Sequence, residues 1–200
     1  MSQALEVPMS SCGCPTSTAS GNATTAVKEA YVIPAAPVKG QPEIARISGE
    51  FVSTQSILSV VSQAAPDWID LTDSLIEFVN AAGVATGQLT VFSRHTTASI
   101  AIQENEPLLQ IDLARKLNEL ASPNEYYQHD DFSIRTENLM ETNDANGHSH
   151  CQALFIGQTV TLPVHNGQLQ LGTWQRVFLL ELDSPRPRQA LLRLDGVKQS

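Results

Sequence analysis

The sequence predicts a single α+β domain in which strands outnumber helices, and three observations carry that expectation. Residues 89–103 and 172–183 alternate apolar and polar side chains with a period of two, the pattern of half-buried strands. Asn166-Gly167 lies between two apolar runs, which signals a hairpin. Two stretches, 73–82 and 107–117, carry apolar residues at helical spacing.

The 200 residues are 42% hydrophobic with a formal net charge of −9, enough chain for one domain and its core. The acidic balance argues against a nucleic-acid partner and against an anionic membrane surface, both of which need basic side chains. No apolar run approaches the ~20 residues that span a bilayer, and no basic leader precedes an apolar run, so the expected location is cytoplasmic. Three cysteines, Cys12, Cys14 and Cys151, form no disulfide framework. Cys12-Gly13-Cys14 lacks the second half of a zinc knuckle and reads as chemically silent. Residues 1–43, rich in Ser, Thr, Ala, Pro and Gly, read as a disordered low-complexity tail, and residues 44–200 as the folded domain.

In order along that domain, Arg46 to Leu58 carries the β-branched and aromatic residues of one or two strands. Thr72 reads as the N-cap of a helix over Asp73–Ala82, with Leu75, Ile76 and Val79 on one face and Gly83 just past its end. Gly87-Gln88 turns into a strand running from Leu89 to Gln103. Its alternation puts Val91, Ser93, His95, Thr97, Ser99 and Gln103 on a polar face and Phe92, Thr96, Ala98, Ile100 and Ile102 on a core-like one. Pro107 opens a helix with Leu109, Leu113 and Leu117 in register, and Ser122-Pro123 closes it. Residues 124–146 exceed the length of a simple connection and read as a functional loop. Cys151 to Ile156 is a short apolar segment, helical or extended. Strands then follow at Thr159–Val164, Gln168–Leu171, Gly172–Asp183 and Gln189–Leu194, with Arg186 to Arg188 as a turn interrupted by proline.

Asn146-Gly147-His148-Ser149-His150-Cys151 places two of the five histidines one residue apart behind a flexible pair. Neutral imidazoles near carboxylates bind transition metals or move protons near neutral pH. His-x-His also occurs by chance in surface loops. Trp174 reads as a core residue, His165 as part of a hairpin turn, and Cys151 as a small buried hydrophobe rather than a reactive thiol or metal ligand.

Five segments then stand in the order and at about the intervals of a known family: His95-Thr-Thr-Ala-Ser-Ile, Glu104-Asn-Glu, Tyr127-Gln-His129-Asp, Asn146-Gly-His148-Ser-His150, and Gly172-Thr-Trp-Gln with Glu181. On these the chain resembles the YjbQ family, also called the secondary thiamine-phosphate synthase family, from about Glu43 to Gly196. The resemblance implies a mainly antiparallel β-sandwich with a few short helices, assembled as a homotrimer. It also implies a transferase activity that joins hydroxymethylpyrimidine diphosphate to hydroxyethylthiazole phosphate, an activity secondary in the family, whose main physiological substrate is unsettled. The stretch between His129 and His148 is longer than in shorter members, some of which lack a histidine at the position of His148. The resemblance therefore supports His150 more firmly than His148.

Set beside that implied reaction, the residues supply candidate roles. A diphosphate leaving group needs its charge neutralised and often a proton, and the chain has no Gly-rich phosphate cradle. His129, His148 and His150 are expected to converge as ligands of a divalent metal, zinc or magnesium, or of phosphate; imidazoles suit zinc better. His95 and Glu104 are the expected acid and base, with Gln175 and Glu181 orienting them as further members of the catalytic set. Thr97, Asn105 and Arg135 are the expected contacts to a small phosphorylated substrate, Arg135 as an anion clamp. No organic cofactor is expected. The competing function is a non-catalytic trimeric module that binds a small anion or a metal, and the plainer account of the residues themselves is that His95 satisfies a backbone hydrogen bond while Gln175 and Glu181 face solvent.

Overall fold

In the computed structural model, which describes residues 46–139, 142 and 144–198, the chain runs β1 (Phe51–Val61), β2 (Asp67–Asp70), α1 (Thr72–Ala82), β3 (Val84–Ser93), β4 (Ala98–Gln103) and α2 (Pro107–Leu120). It continues through a 3-10 turn at Gln128–Asp130 into α3 (Gly147–Ile156), β5 (Thr159–His165), β6 (Gln168–Leu169), β7 (Arg176–Glu181) and β8 (Pro187–Lys198). The expected tail, with Cys12 and Cys14, lies outside the described residues. β1-β8-β3-β5-β6 form one sheet and β2-β7-β4 another, and every pairing is antiparallel.

The main core fills the space between the sheets. Leu89 and Val91 of β3, Leu162 and Val164 of β5, and Ala190, Leu192 and Leu194 of β8 meet Ala98 and Ile100 of β4 and Val177 and Leu179 of β7, with Leu75 and Val79 of α1. A second cluster covers the outer face of the smaller sheet, where Leu180 and Leu182 pack on Ala153 of α3 together with Leu117 of α2, Trp68 and Ile156. Central β7 is thus buried on both faces, which accounts for its unbroken apolar run. The architecture is the expected antiparallel sandwich, with α2 and α3 as a third layer.

Local signals set several element ends. Gly83 closes α1 in the left-handed region at φ 64°, a conformation glycine adopts without a Cβ penalty. Glu106 caps α2 by accepting the N–H groups of Leu108 and Leu109, and Pro107 takes the first helical position. Asn166 and Gly167, at φ 50° and 72°, make the tight turn between β5 and β6, as the Asn-Gly pair predicts.

Other expectations are corrected. Thr72 is the first residue of α1, not its cap: Asp70 accepts the Thr72 N–H, while the Thr72 hydroxyl accepts from the Val177 N–H at 2.9 Å and ties the helix to β7. Ile76 is 41% exposed instead of sharing the face of Leu75 and Val79. The strand expected from Leu89 to Gln103 is two strands in different sheets, because residues 94–97 cross from one sheet to the other. Val91 and Ser93 therefore face the core while Phe92 is exposed, the reverse of the assignment by alternation. β7 starts only at Arg176, after a turn closed by the Gln175 N–H on the Gly172 carbonyl, so Trp174 is 71% exposed and no core residue. Pro187 begins β8 instead of interrupting a turn, a strand-end position where its missing N–H costs no ladder bond. Cys151 to Ile156 is helical and continuous with the histidine pair.

Leu179, fully buried between the sheets, and Trp174, exposed in the turn, give opposite expectations. Leu179→Ala is expected to lower stability by roughly 2–5 kcal/mol and Trp174→Ala to change it by less than about 0.5 kcal/mol, read from urea midpoints at equal protein concentration.

Candidate functional site

At one end of the sandwich the core layer ends in charge. On β7 the residues facing the larger sheet are Val177, Leu179 and then Glu181; on β8 those facing the smaller sheet end with Ala190 and Arg188. Glu181 and Arg188 are both buried and paired, one from each sheet. The guanidinium takes both carboxylate oxygens, through Nε to Oε2 and through Nη2 to Oε1 at 2.5 Å. The Ser62 hydroxyl donates to Oε2 at 3.1 Å and the Asp183 N–H to Oε1 at 3.0 Å. Burial alone would push the Glu181 carboxyl up, but these hydrogen bonds, led by Arg188, hold it below its ordinary range.

Residues 94–97 cross over this end between β3 and β4 and bring His95 and Thr97 to the pair. Arg188 Nη2 donates to the Thr97 hydroxyl at 3.0 Å. His95 Nε2 accepts the N–H of Gln189 at 2.8 Å, so the neutral ring keeps its proton on Nδ1 and can donate but not accept there. Burial first, then the Arg188 charge, lowers the His95 pKa against the opposing pull of Glu181.

The opposite wall is built from the 128–138 loop and the start of α3. The Asp130 carboxylate accepts the N–H groups of Asn146 and Gly147 at 3.0 and 2.9 Å, capping α3 from a distant segment. Gly147 lies so close to Tyr127 that an added Cβ would stand 2.5 Å from the Tyr127 Cβ. Asn146 Nδ2 donates to Asp183 Oδ2 at 3.0 Å, which leaves its Oδ1 to accept from His129 Nε2 at 3.2 Å. Asp183 pairs in turn with Arg186, which also holds Asp144. His129 and His150 sit edge to face with ring centroids 4.6 Å apart. Among the described residues the His150 ring has no hydrogen-bond partner, and burial, followed by the neighbouring His129, lowers its pKa.

These groups line a cleft of about 670 Å³. Four arginines, Arg94, Arg135, Arg186 and Arg188, face it together with His95, His129 and His150, against the carboxylates of Glu137 and Asp144. Arg186 and Arg188 are paired with carboxylates. Arg135 donates only to backbone carbonyls of His129, Glu137 and Asn138, and Arg94 to the side-chain oxygen of Gln189. Among the described residues neither has a carboxylate partner, so two guanidinium charges are free to meet an anion.

The structure brings together His95, Thr97, His129, Arg135 and His150 of the expected set, and leaves the others apart. His148 is two residues from His150 on a helix, roughly 200° around it; it turns to Tyr127 and the Ser149 hydroxyl and does not join the other two imidazoles. Among the described residues no group of three His, Cys, Asp or Glu is placed to hold a metal ion. Glu181 lies under the cleft as the partner of Arg188 and neither faces solvent nor lines the opening. Glu104, Asn105 and Gln175 lie at the far ends of β4 and β7, about 20 Å of strand away. There Asn105 donates to Asp70 and Gln175 holds the Gly172 N–H. Cys151 and His165 line no part of the cleft. Sequence reasoning missed Arg94, Asn146, Asp183, Arg186 and Arg188 as site residues. The available signal was Glu181-Leu-Asp183-Ser-Pro-Arg186-Pro-Arg188, a compact run of both charges in a chain short of basic residues.

Fold and cleft define an α+β protein of two antiparallel sheets with an arginine- and histidine-lined opening at one end. Residues 56–196 match the family model for the UPF0047 protein YjbQ-like family, and the chain belongs to that family. It is 36% identical over 128 residues to a UPF0047 protein of Methanothermobacter thermautotrophicus, covering 64% of this chain and 82% of that one. A UPF0047 protein of Synechocystis is 33% identical over 149 residues, covering 73% and 94%. The crystal structure of a YbjQ-like protein of unknown function from Sulfolobus solfataricus superposes with a TM-score of 0.66 at 30% identity, covering 74% of this chain and 99% of that one. Among the described residues no helix is long and apolar enough to cross a membrane.

Because its folded pKa is depressed, Glu181 contributes stability that is present above its ordinary value of 4.5 and is lost as pH falls through the folded value. Glu181→Gln leaves Arg188 buried without its counter-charge and is expected to cost about 3 kcal/mol or more at pH 7. The gap from wild type should narrow below pH 4.5 in denaturant titrations; a constant gap down to pH 2 would contradict the pairing.

Proposed function

We propose that the cleft binds a phosphorylated small molecule and promotes its reaction by proton transfer. The observation that supports this most is the pair of guanidinium groups, Arg94 and Arg135, which have no carboxylate partner among the described residues of a chain of net charge −9. His95 offers an Nδ1–H to a phosphate oxygen, and His150, with its lowered pKa and unengaged ring, is a base at neutral pH.

The finer reading is the transferase reaction that joins hydroxymethylpyrimidine diphosphate to hydroxyethylthiazole phosphate. There the thiazole ring nitrogen gives its lone pair to form a carbon–nitrogen bond to the pyrimidine's methylene carbon, the carbon–oxygen bond breaks and pyrophosphate leaves with that electron pair, so fixed positive charge beside its oxygens lowers the barrier. The arginines supply that charge from this chain. His129 and His150 offer two imidazoles to a divalent ion and the described residues add no third donor, so no step is assigned to zinc or magnesium.

Arg135→Ala is expected to weaken inorganic pyrophosphate binding about tenfold by calorimetry. His150→Ala should preserve that binding and lower thiamine phosphate formation from the two precursors at least a hundredfold. Wild-type protein that binds pyrophosphate but forms no product would favour the non-catalytic module, and protein that does not bind it would remove the reading.

We further propose a homotrimer. Phe51, Ile57 and Val61 on the exposed face of the edge strand β1, and Leu108 and Ile111 on α2, are large exposed apolar side chains, and an open edge strand with an apolar face calls for cover. Sedimentation equilibrium should return three times the chain mass of 21.7 kDa; a monomer would contradict it.

A further inference from the structure

Residues Arg94, His95 and Thr96 form a ridge with a cleft on each side. The cationic cleft lies toward Arg135 and Arg186. On the other side a second hollow of about 620 Å³ opens, and it shares Arg94, His95, Thr96 and His150 with the first. Its own walls are different in kind: Phe92, Leu154, Ser93 and Gln158. Phe92 and Leu154 are 40% and 77% exposed, two large apolar side chains from different elements, β3 and α3, turned into one concavity. The Ser93 hydroxyl is already given to the Ala98 carbonyl at 2.7 Å, so the polar contribution of this hollow comes mainly from the shared ridge.

We propose that the two hollows are compartments of one site, the second taking the uncharged planar ring of the same molecule whose phosphate sits against Arg94 and Arg135. This rests on the anion reading of the first cleft and adds the chemistry of the rest of the ligand. Phe92 offers an aromatic side chain, and Arg94 a flat guanidinium that stacks on rings. The hollow falls within the size range of small-molecule pockets, and apolar walls with a few polar groups at one side suit a ring whose polar end points across the ridge. His95 and His150, common to both compartments, then lie beside the bond that links ring and phosphate, where proton transfer would act. Phe92 and Leu154 set specificity and take no part in the chemistry.

The experiment compares inorganic phosphate, butyl phosphate and benzyl phosphate by calorimetry on the full chain, wild type, Phe92→Ala and Leu154→Ser. Both substitutions are at exposed positions, so the fold is expected to survive them. Benzyl phosphate should bind wild type at least tenfold more tightly than phosphate and more tightly than butyl phosphate. Each variant should lose that advantage and keep the affinity for phosphate. Equal affinities for all three ligands in wild type would overturn the ring compartment while leaving the anion site standing. Failure of phosphate and both esters to bind would overturn both. Sedimentation on the same samples separates a further case: if the variants change assembly state and affinity falls only with it, the hollow is a contact between copies of the chain and the proposal is wrong.

Discussion

The buried ion pair between Glu181 and Arg188 is the constraint on which the functional end of this protein depends. Each residue comes from a different sheet and each continues the core-facing row of its strand. Two charges in that position replace what could have been two more apolar side chains, and a buried pair is generally no more stabilising than a hydrophobic substitute. Its effect here is positional. With Nε and one Nη2 contact spent on the carboxylate, the guanidinium is fixed in orientation, and Nη2 also reaches Thr97 in the crossover loop. The sheets, the loop and His95 are thereby set in one frame beneath the cleft.

A second chain of contacts does the same for the opposite wall. Arg186 holds Asp183, Asp183 orients Asn146, and Asn146 fixes which nitrogen of His129 carries a proton. Asp130 meanwhile anchors the start of α3, and with it His150. Both walls thus use carboxylates to immobilise polar groups, and those carboxylates neutralise Arg186 and Arg188 in doing so. Arg94 and Arg135 are left outside these networks. An acidic protein can in this way present a locally cationic cleft, because net charge describes the long-range field and not the pairing at one site.

The sequence showed what is determined locally. The left-handed residue after α1, the proline and acidic cap at α2 and the Asn166-Gly167 turn each depend on a few adjacent residues. Alternation failed where the chain changes sheets: Arg94, His95, Thr96 and Thr97 are all polar, so the apolar side of the period lapses there, and one register carried across the break assigns β3 to the wrong face. Trp174, expected inside a strand over Gly172–Asp183, lies in the turn that precedes β7. The histidine pair was legible as chemistry, but its helical setting sends His148 and His150 in different directions, whereas an irregular loop could have let them converge. The cleft arginines were hardest to see, since their partners are separated by up to 95 positions along the chain, as for Arg94 and Gln189, and only the folded sheets place them together. Glu104, Asn105 and Gln175 entered through resemblance alone, and in the folded chain they stand at the other end of the smaller sheet.

The most direct measurement of the central claim is a titration of isotope-labelled full-length protein with inorganic pyrophosphate, followed by two-dimensional NMR. Saturable shifts should appear at the backbone or side chains of Arg94, His95, Arg135 and His150, with the guanidinium signals of Arg115, Arg176 and Arg193 unmoved because those are held by carboxylates elsewhere on the surface. Shifts spread evenly over surface arginines, or none at the four cleft residues, would contradict an anion site at this end of the sandwich.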